Sequence, residues 1–266
     1  DDNSPSNAVI IGYRAGRVIN GENATAIGYD ALKAATEPDN TAVGAYALQT
    51  LVDGENNTAL GIAAGYRIDK GDDSTFLGWY AGFNATGSDN TFVGSQAGQG
   101  GTTSAPFSSG ANNTAVGYQA LRGFTTGGSN TAMGYQAGAA ITTGINNTFI
   151  GMLAGDVLTT GTNNTAIGSG ALGSADGGER ENIAIGFGSA GGINNDSAIR
   201  NVFMGEYAGY GGTGALAYSV AIGYRALDST GANNSSGTVA IGYYAGSAIT
   251  SGGTNTLIGY QSGLAL

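Results

Sequence analysis

The apolar residues of this chain recur in short clusters, separated by stretches rich in Gly, Thr, Ser and Asn. Aligning every aliphatic-Gly pair gives Gly12, Gly28, Gly44, Gly61, Gly78, Gly94, Gly117, Gly134, Gly151, Gly168, Gly186, Gly205, Gly223, Gly242 and Gly259. These fifteen copies lie 16 to 19 residues apart, except for one interval of 23 after Gly94. The residue before the glycine is always Ile, Leu, Val or Met, and the residue three after it is Ala in thirteen copies and Ser in two. A fixed period that fills the chain is the signature of a repeat architecture.

A typical copy runs Asn113-Thr114-Ala115-Val116-Gly117-Tyr118-Gln119-Ala120-Leu121. β-Branched residues in a short run bounded by Asn and Gly predict a strand followed by a tight corner, because the run is too short and Gly-broken for a helix. About 17 residues accommodate two short strands and two turns, one coil of a solenoid whose coils stack at ~4.8 Å. The predicted fold is therefore all-β. It is a single domain over 1–266, a parallel β-solenoid of about fifteen coils in the form of a flattened two-strand β-roll, some 70 Å long by the same spacing. A hexapeptide β-helix would need an aliphatic residue every six positions, but stepping from Val116 meets Arg122 and Gly128. A three-sheet right-handed helix usually needs a longer coil.

Strand alternation places the residues one and three before Gly on one face and the residue two before on the other. The first face carries the aliphatic and, in ten copies, Thr; the second carries Ala in nine copies and Phe in four. Both faces are apolar, which predicts a sandwiched strand. The aliphatic face is expected inside the coil. The Ala/Phe face, with Ala115, Ala132, Phe149 and Ala166, becomes the candidate subunit interface, with a thicker single-chain core as the alternative. Gly at the strand end suits positive φ. Asn four before it, in ten copies, suits αL geometry and an amide ladder. Tyr after the key Gly in seven copies predicts stacked rings along the coils, with glycan binding as a second use.

Composition then restricts the chemistry. Glycine makes up 50 of 266 residues, about 19% against a usual ~7%. The chain has no His and no Cys, which removes His- or Cys-based nucleophiles, conventional zinc sites and iron–sulfur ligation. A net charge of −10 with nine Lys and Arg argues against nucleic acid and anionic membranes. No apolar run reaches the ~20 residues of a membrane span. Acidic residues before the strand in consecutive coils, Glu22, Asp39, Glu55, Asp73 and Asp89, would align into an edge that is either solvated or a row for Ca2+. They repeat along loops and do not converge as a catalytic carboxylate pair would, so the chain reads as non-enzymatic. The long interval contains an extra loop, 100–111, whose Phe107 is a candidate contact point beside Pro106.

The repeat resembles the head domain of YadA-type trimeric autotransporter adhesins, whose coils carry Ser-Val-Ala-Ile-Gly. That motif stands at 219–223, with near copies at 182–186 and 238–242. The Asn-Thr-Ala-Val-Gly-Tyr-Gln-Ala-Leu variant at 113–121 is similar to repeats of large bacterial surface proteins and phage-type tail fibres. The resemblance implies left-handed parallel β-rolls packed as homotrimers that attach bacteria to host matrix or other surfaces. An extracellular location at a bacterial-type surface follows from it and suits the Cys-free, Thr/Asn/Gly-rich composition. With no Met at Asp1 and few residues outside the first and last coils, the chain reads as a segment of a longer fibre or as a unit that stacks end to end. An ice-binding Thr ladder is a third expectation, weakened if the Thr face is buried.

Overall fold

The computed structural model describes residues 7–19, 22–101, 107–175, 177–211, 216–228, 235–249 and 252–264. It is an all-β parallel solenoid with one three-residue strand per coil, and among the described residues there is no helix. Two compact units make up the chain, Asp1–Asn130 and Thr131–Leu266. The first holds β1 (Val9–Ile11), β2 (Thr25–Ile27), β3 (Thr41–Val43), β4 (Thr58–Leu60), β5 (Thr75–Leu77), β6 (Thr91–Val93) and β7 (Thr114–Val116), paired in chain order. The second holds β8 (Thr131–Met133), β9 (Thr148–Ile150), β10 (Thr165–Ile167), β11 (Ile183–Ile185), β12 (Val202–Met204), β13 (Val220–Ile222), β14 (Val239–Ile241) and β15 (Thr256–Ile258), also in chain order. Register follows the repeat without slippage: Thr148 faces Thr165, Phe149 faces Ala166 and Ile150 faces Ile167.

The coil has one regular strand because its other sides are bent. Each coil takes positive φ five residues before the key Gly, at the Gly itself, and two and four residues after it, as at Asn163, Gly168, Gly170 and Leu172. Left-handed residues at these intervals turn the chain and leave room for only three extended residues. The expected second strand survives as isolated parallel bridges, Thr162 to Arg180 and Arg180 to Ile199. The αL residue is the one before the ladder Asn, so the geometry expected of that Asn belongs to its neighbour.

The two strand faces are the reverse of the sequence expectation. Ala115, Ala132, Phe149 and Ala166 are fully buried inside their own chain, as are Phe76, Phe92 and Phe203. They cannot form a subunit interface. The aliphatic before Gly is partly or fully exposed in every coil, as is the Thr, Val or Ile three before it. The inward residue packs against a wall that the strand pattern does not display: the Ala or Ser three after Gly and the apolar residue seven after it, such as Leu51, Ile68, Ile141 and Leu158. Burial of that row draws the middle strand residue inward and turns the flanking pair out.

A buried amide ladder closes the core. The N–H of Asn57 donates to Asn40 Oδ1 (3.0 Å), and the Asn57 side-chain amide donates to the Gly71 carbonyl (2.7 Å). In the second unit Asn147, Asn164, Asn182 and Asn201 each accept the next coil's N–H on Oδ1 at 2.9 to 3.1 Å. Each Asn thereby satisfies its own buried polar ends and a backbone group of the next coil.

Candidate binding surfaces

The first surface is the outer face of the strands. In the first unit it presents Thr25, Thr41, Thr58, Thr75, Thr91 and Thr114 beside Ile27, Val43, Leu60, Leu77, Val93 and Val116. In the second unit the Thr column gives way after Thr165, and β11 to β14 expose only aliphatics: Ile183 and Ile185, Val202 and Met204, Val220 and Ile222, Val239 and Ile241. Parallel pairing holds these residues in register, so the exposed side chains form two straight rows. β11 to β14 thus present a contiguous, partly exposed apolar patch.

The second surface is aromatic. Tyr13 and Tyr29 stack with centroids 5.4 Å apart, and Tyr243 stacks on Tyr224 and on Tyr260 at 5.2 Å. Of the rings predicted to stack, these two groups do so. The row also drifts to positions the repeat did not mark: Tyr29 meets Tyr46, Tyr46 meets Tyr66, and Tyr66 lies flat on Phe83 at 4.8 Å. Tyr80 covers the neighbouring region of Phe83 at 4.5 Å, and Trp79 leans on Tyr80 at 4.4 Å. Trp79 remains 48% exposed.

The extra loop is stitched to its neighbours at both described ends. The Gly101 N–H donates to the Phe124 carbonyl (2.8 Å), and the Ser108 N–H donates to the Asn84 carbonyl (3.0 Å). Pro106 lies outside the described residues. Phe107 is half-buried, with its ring 4.9 Å from the Arg67 guanidinium, which also lies 5.5 Å from Phe83 and 6.0 Å from Tyr66. Arg67 is thus held among three rings, an arrangement that favours a cation over π faces. Around it opens a cavity of about 730 Å³, lined by Thr50, Tyr66, Asp69, Lys70, Thr86 and Ser109 as well as Arg67 and Phe107. The Lys70 ammonium lies 3.2 Å from the Asp53 carboxylate on the rim.

The acidic edge is less organised. Glu22, Asp39, Glu55, Asp73 and Asp89 are exposed; the two Glu stand six residues before the key Gly and the three Asp five before it. Asp39 accepts the Asn23 side-chain amide (2.9 Å), and its neighbours in the loops bond to backbone, as Asp72 does with the Glu55 N–H (3.0 Å). Among the described residues no three acids gather into a cluster that could hold a metal ion. Two other acids, which the sequence pattern did not single out, are buried: Asp30, paired with Arg14, and Glu179. Glu179 occupies the coil position of Gly144 and Gly161, and its carboxylate accepts the N–H groups of Gly177 (3.1 Å) and Asn195 (3.0 Å). Burial holds its pKa above the ordinary glutamate value despite those bonds, with Asp196 adding to the rise. Its sequence signal was a charged residue in a row of glycines. Compared with known proteins, the chain matches no family model and no curated sequence.

Proposed function

We propose that this chain is a non-enzymatic structural and adhesive β-solenoid of an extracellular bacterial-type surface fibre, and that copies associate side by side through the outer strand face. The observation that supports this most is the doubled aliphatic row of β11 to β14, which a solvated sheet would not otherwise retain. Each of these aliphatics is already partly covered, so burying its remaining exposed area gains a fraction of the roughly 1.5 to 3 kcal/mol of a full side-chain burial, and association repeats that gain coil by coil. The likeness to trimeric adhesin heads favours three copies around this face. End-to-end stacking is the alternative assembly, and it leaves the face open.

The mass of the chain in solution, by light scattering or sedimentation, tests the proposal. A trimer is expected, reduced to monomers by Met204→Glu with Ile222→Glu while the β-sheet circular dichroism is unchanged. A monomer at all concentrations, or filaments that survive both substitutions, would reject it. Reproducible turnover of a polysaccharide abolished by one Asp or Glu substitution would overturn the non-enzymatic reading.

A second reading, ice recognition, is favoured by one observation: the Thr column of the first unit faces outward instead of inward. The neighbouring aliphatic column mixes Ile, Val and Leu, so the surface is uneven, which ranks this reading below association. Thermal hysteresis that disappears on Thr58→Leu with Thr91→Leu would reverse that order.

A further inference from the structure

We propose that the first unit binds a saccharide in the cavity around Arg67, with a sugar ring lying on the aromatic groove that ends at Trp79. In a repeat protein the places that break the repeat are where selection has acted on something besides stacking. Here several breaks converge. The extra loop delivers Phe107 to Arg67, the chain's single tryptophan stands at position 79, and the aromatic row leaves its usual column to pass through Tyr66. Tyr66 lines both the cavity of about 730 Å³ and a neighbouring groove of about 360 Å³ that also includes Trp79, Tyr80 and Phe83. Tyr66 is the residue the two share.

The chemistry of the lining selects the ligand class. A cavity of this size is in the usual range for small-ligand sites. Its walls combine flat rings with donors on Arg67 and Lys70, an acceptor on Asp69 and a hydroxyl on Ser109. An uncharged lipid would have no use for the charged rim, and an inorganic anion would have none for the rings. A pyranose carries an apolar face and a perimeter of hydroxyls that both donate and accept, which matches this lining. Mutual stacking of Tyr66, Phe83 and Tyr80 fixes the groove before a ligand arrives, which lowers the ordering cost of binding. A smaller version recurs in the second unit. There Arg225 lies 5.2 Å from the Tyr207 ring, beside Tyr210 and Asp228, around about 380 Å³.

This site gives the adhesive reading a ligand class. It depends on that reading only for its setting, since binding is measurable whether or not copies associate. The test titrates the full chain with cellohexaose, chitohexaose and hexagalacturonate, following Trp79 emission and the heat of binding. At least one probe is expected to give a saturable change, weakened about ten-fold or more by Phe107→Ala and by Lys70→Ala, with unchanged circular dichroism. Salt-sensitive binding of hexagalacturonate alone would assign a carboxylated sugar to Arg67 and Lys70; binding of a neutral probe would assign the contact to the rings. Absence of signal from all three up to about 10 mM, or binding that neither substitution weakens, would overturn the proposal. So would a hydrophobic dye that occupies the groove where no saccharide does.

Discussion

The ring of Phe149 fills the space that a side chain at Gly155 would need: a Cβ there would lie 2.4 Å from Phe149 Cε1. The relationship recurs in every coil with an inward Phe, at Phe76 with Gly82, Phe92 with Gly98 and Phe203 with Gly209, where the corresponding distances are 2.2 to 2.4 Å. Where the inward strand residue is Ala, the same corner position holds Leu32, Leu48, Leu121, Leu172 or Leu227 in five coils, all buried. Two positions six residues apart thus share one volume across the coil.

That sharing predicts compensation. Gly155→Leu alone overpacks the core and should cost about 1 to 3 kcal/mol, and Phe149→Ala alone should cost about 3 to 5 kcal/mol. Together they recreate the combination of Ala166 with Leu172. The backbone permits it, because Leu172 takes φ of 53° and Gly155 takes 57°. Denaturant unfolding of the double-mutant cycle should show a favourable coupling of at least about 1 kcal/mol; simple additivity would reject the shared volume.

The amide ladder gives a second prediction. Asn164 accepts the Asn182 N–H (3.1 Å) and donates to the Glu179 carbonyl (2.8 Å). Asn164→Leu leaves both groups buried without that partner, at about 1 to 3 kcal/mol each. Asn164→Ser should cost less, since Ser74 at the equivalent position accepts the Asn90 N–H at 3.1 Å. Equal losses of thermal midpoint for the two variants would show that the amide only fills space.

The period, the strand and the glycine corner were legible because they repeat in every coil. The inside and outside of the strand were not. Thr-Ala-Val and Thr-Phe-Ile are apolar on both sides, so alternation of side chains alone could not choose between Ala166 and Ile167 as the inward residue. The choice is made by the row seven after Gly, with Leu158 and Ile141, and the exchange of Phe149 with Gly155 was the sequence signal that could have located it. The cavity was less accessible still. Nothing in the sequence pairs Phe107 with Arg67, because they sit in different coils at positions the repeat does not relate.

Glu179 predicts a pH dependence. Its folded pKa is raised, first by burial and then by Asp196, so the folded chain holds that proton more tightly than the unfolded chain. Its favourable contribution is complete below the ordinary glutamate value and is lost as pH rises through the raised one. The contribution of Glu179 to stability should therefore grow as pH falls through its raised value toward the ordinary glutamate value. Glu181 acts in the opposite sense and lower, because its hydrogen bond from Arg200 depresses its pKa and is lost only as pH falls further. In Glu179→Gly, which restores the residue of the Gly144 and Gly161 coils, the midpoint between about pH 5 and 7 should vary less. An unchanged pH profile would remove Glu179 as its source.

The key glycines predict a difference between coils of identical sequence role. Gly151 and Gly259 both take φ near 130°, at 132° and 125°, where any L side chain is strained. Only Gly151 also lies under a neighbour: a Cβ there would sit 2.7 Å from the carbonyl carbon and oxygen of Gly168, whereas a Cβ on Gly259 would meet nothing within 4 Å. Both Gly→Ala variants therefore incur the backbone cost, roughly 1 to 3 kcal/mol. Gly151→Ala must in addition push β9 away from β10, breaking the register that joins Ile150 to Ile167. Its loss spreads to two neighbouring coils, as expected of a stack in which each repeat contacts only its neighbours. Thermal unfolding should fall further for Gly151→Ala than for Gly259→Ala. If the two fall equally, positive φ alone explains these glycines and the close approach of successive coils does not. If Gly259→Ala leaves the chain folded but abolishes a measured assembly, the last coil is packed against another copy, and end-to-end stacking replaces side-by-side association as the better account.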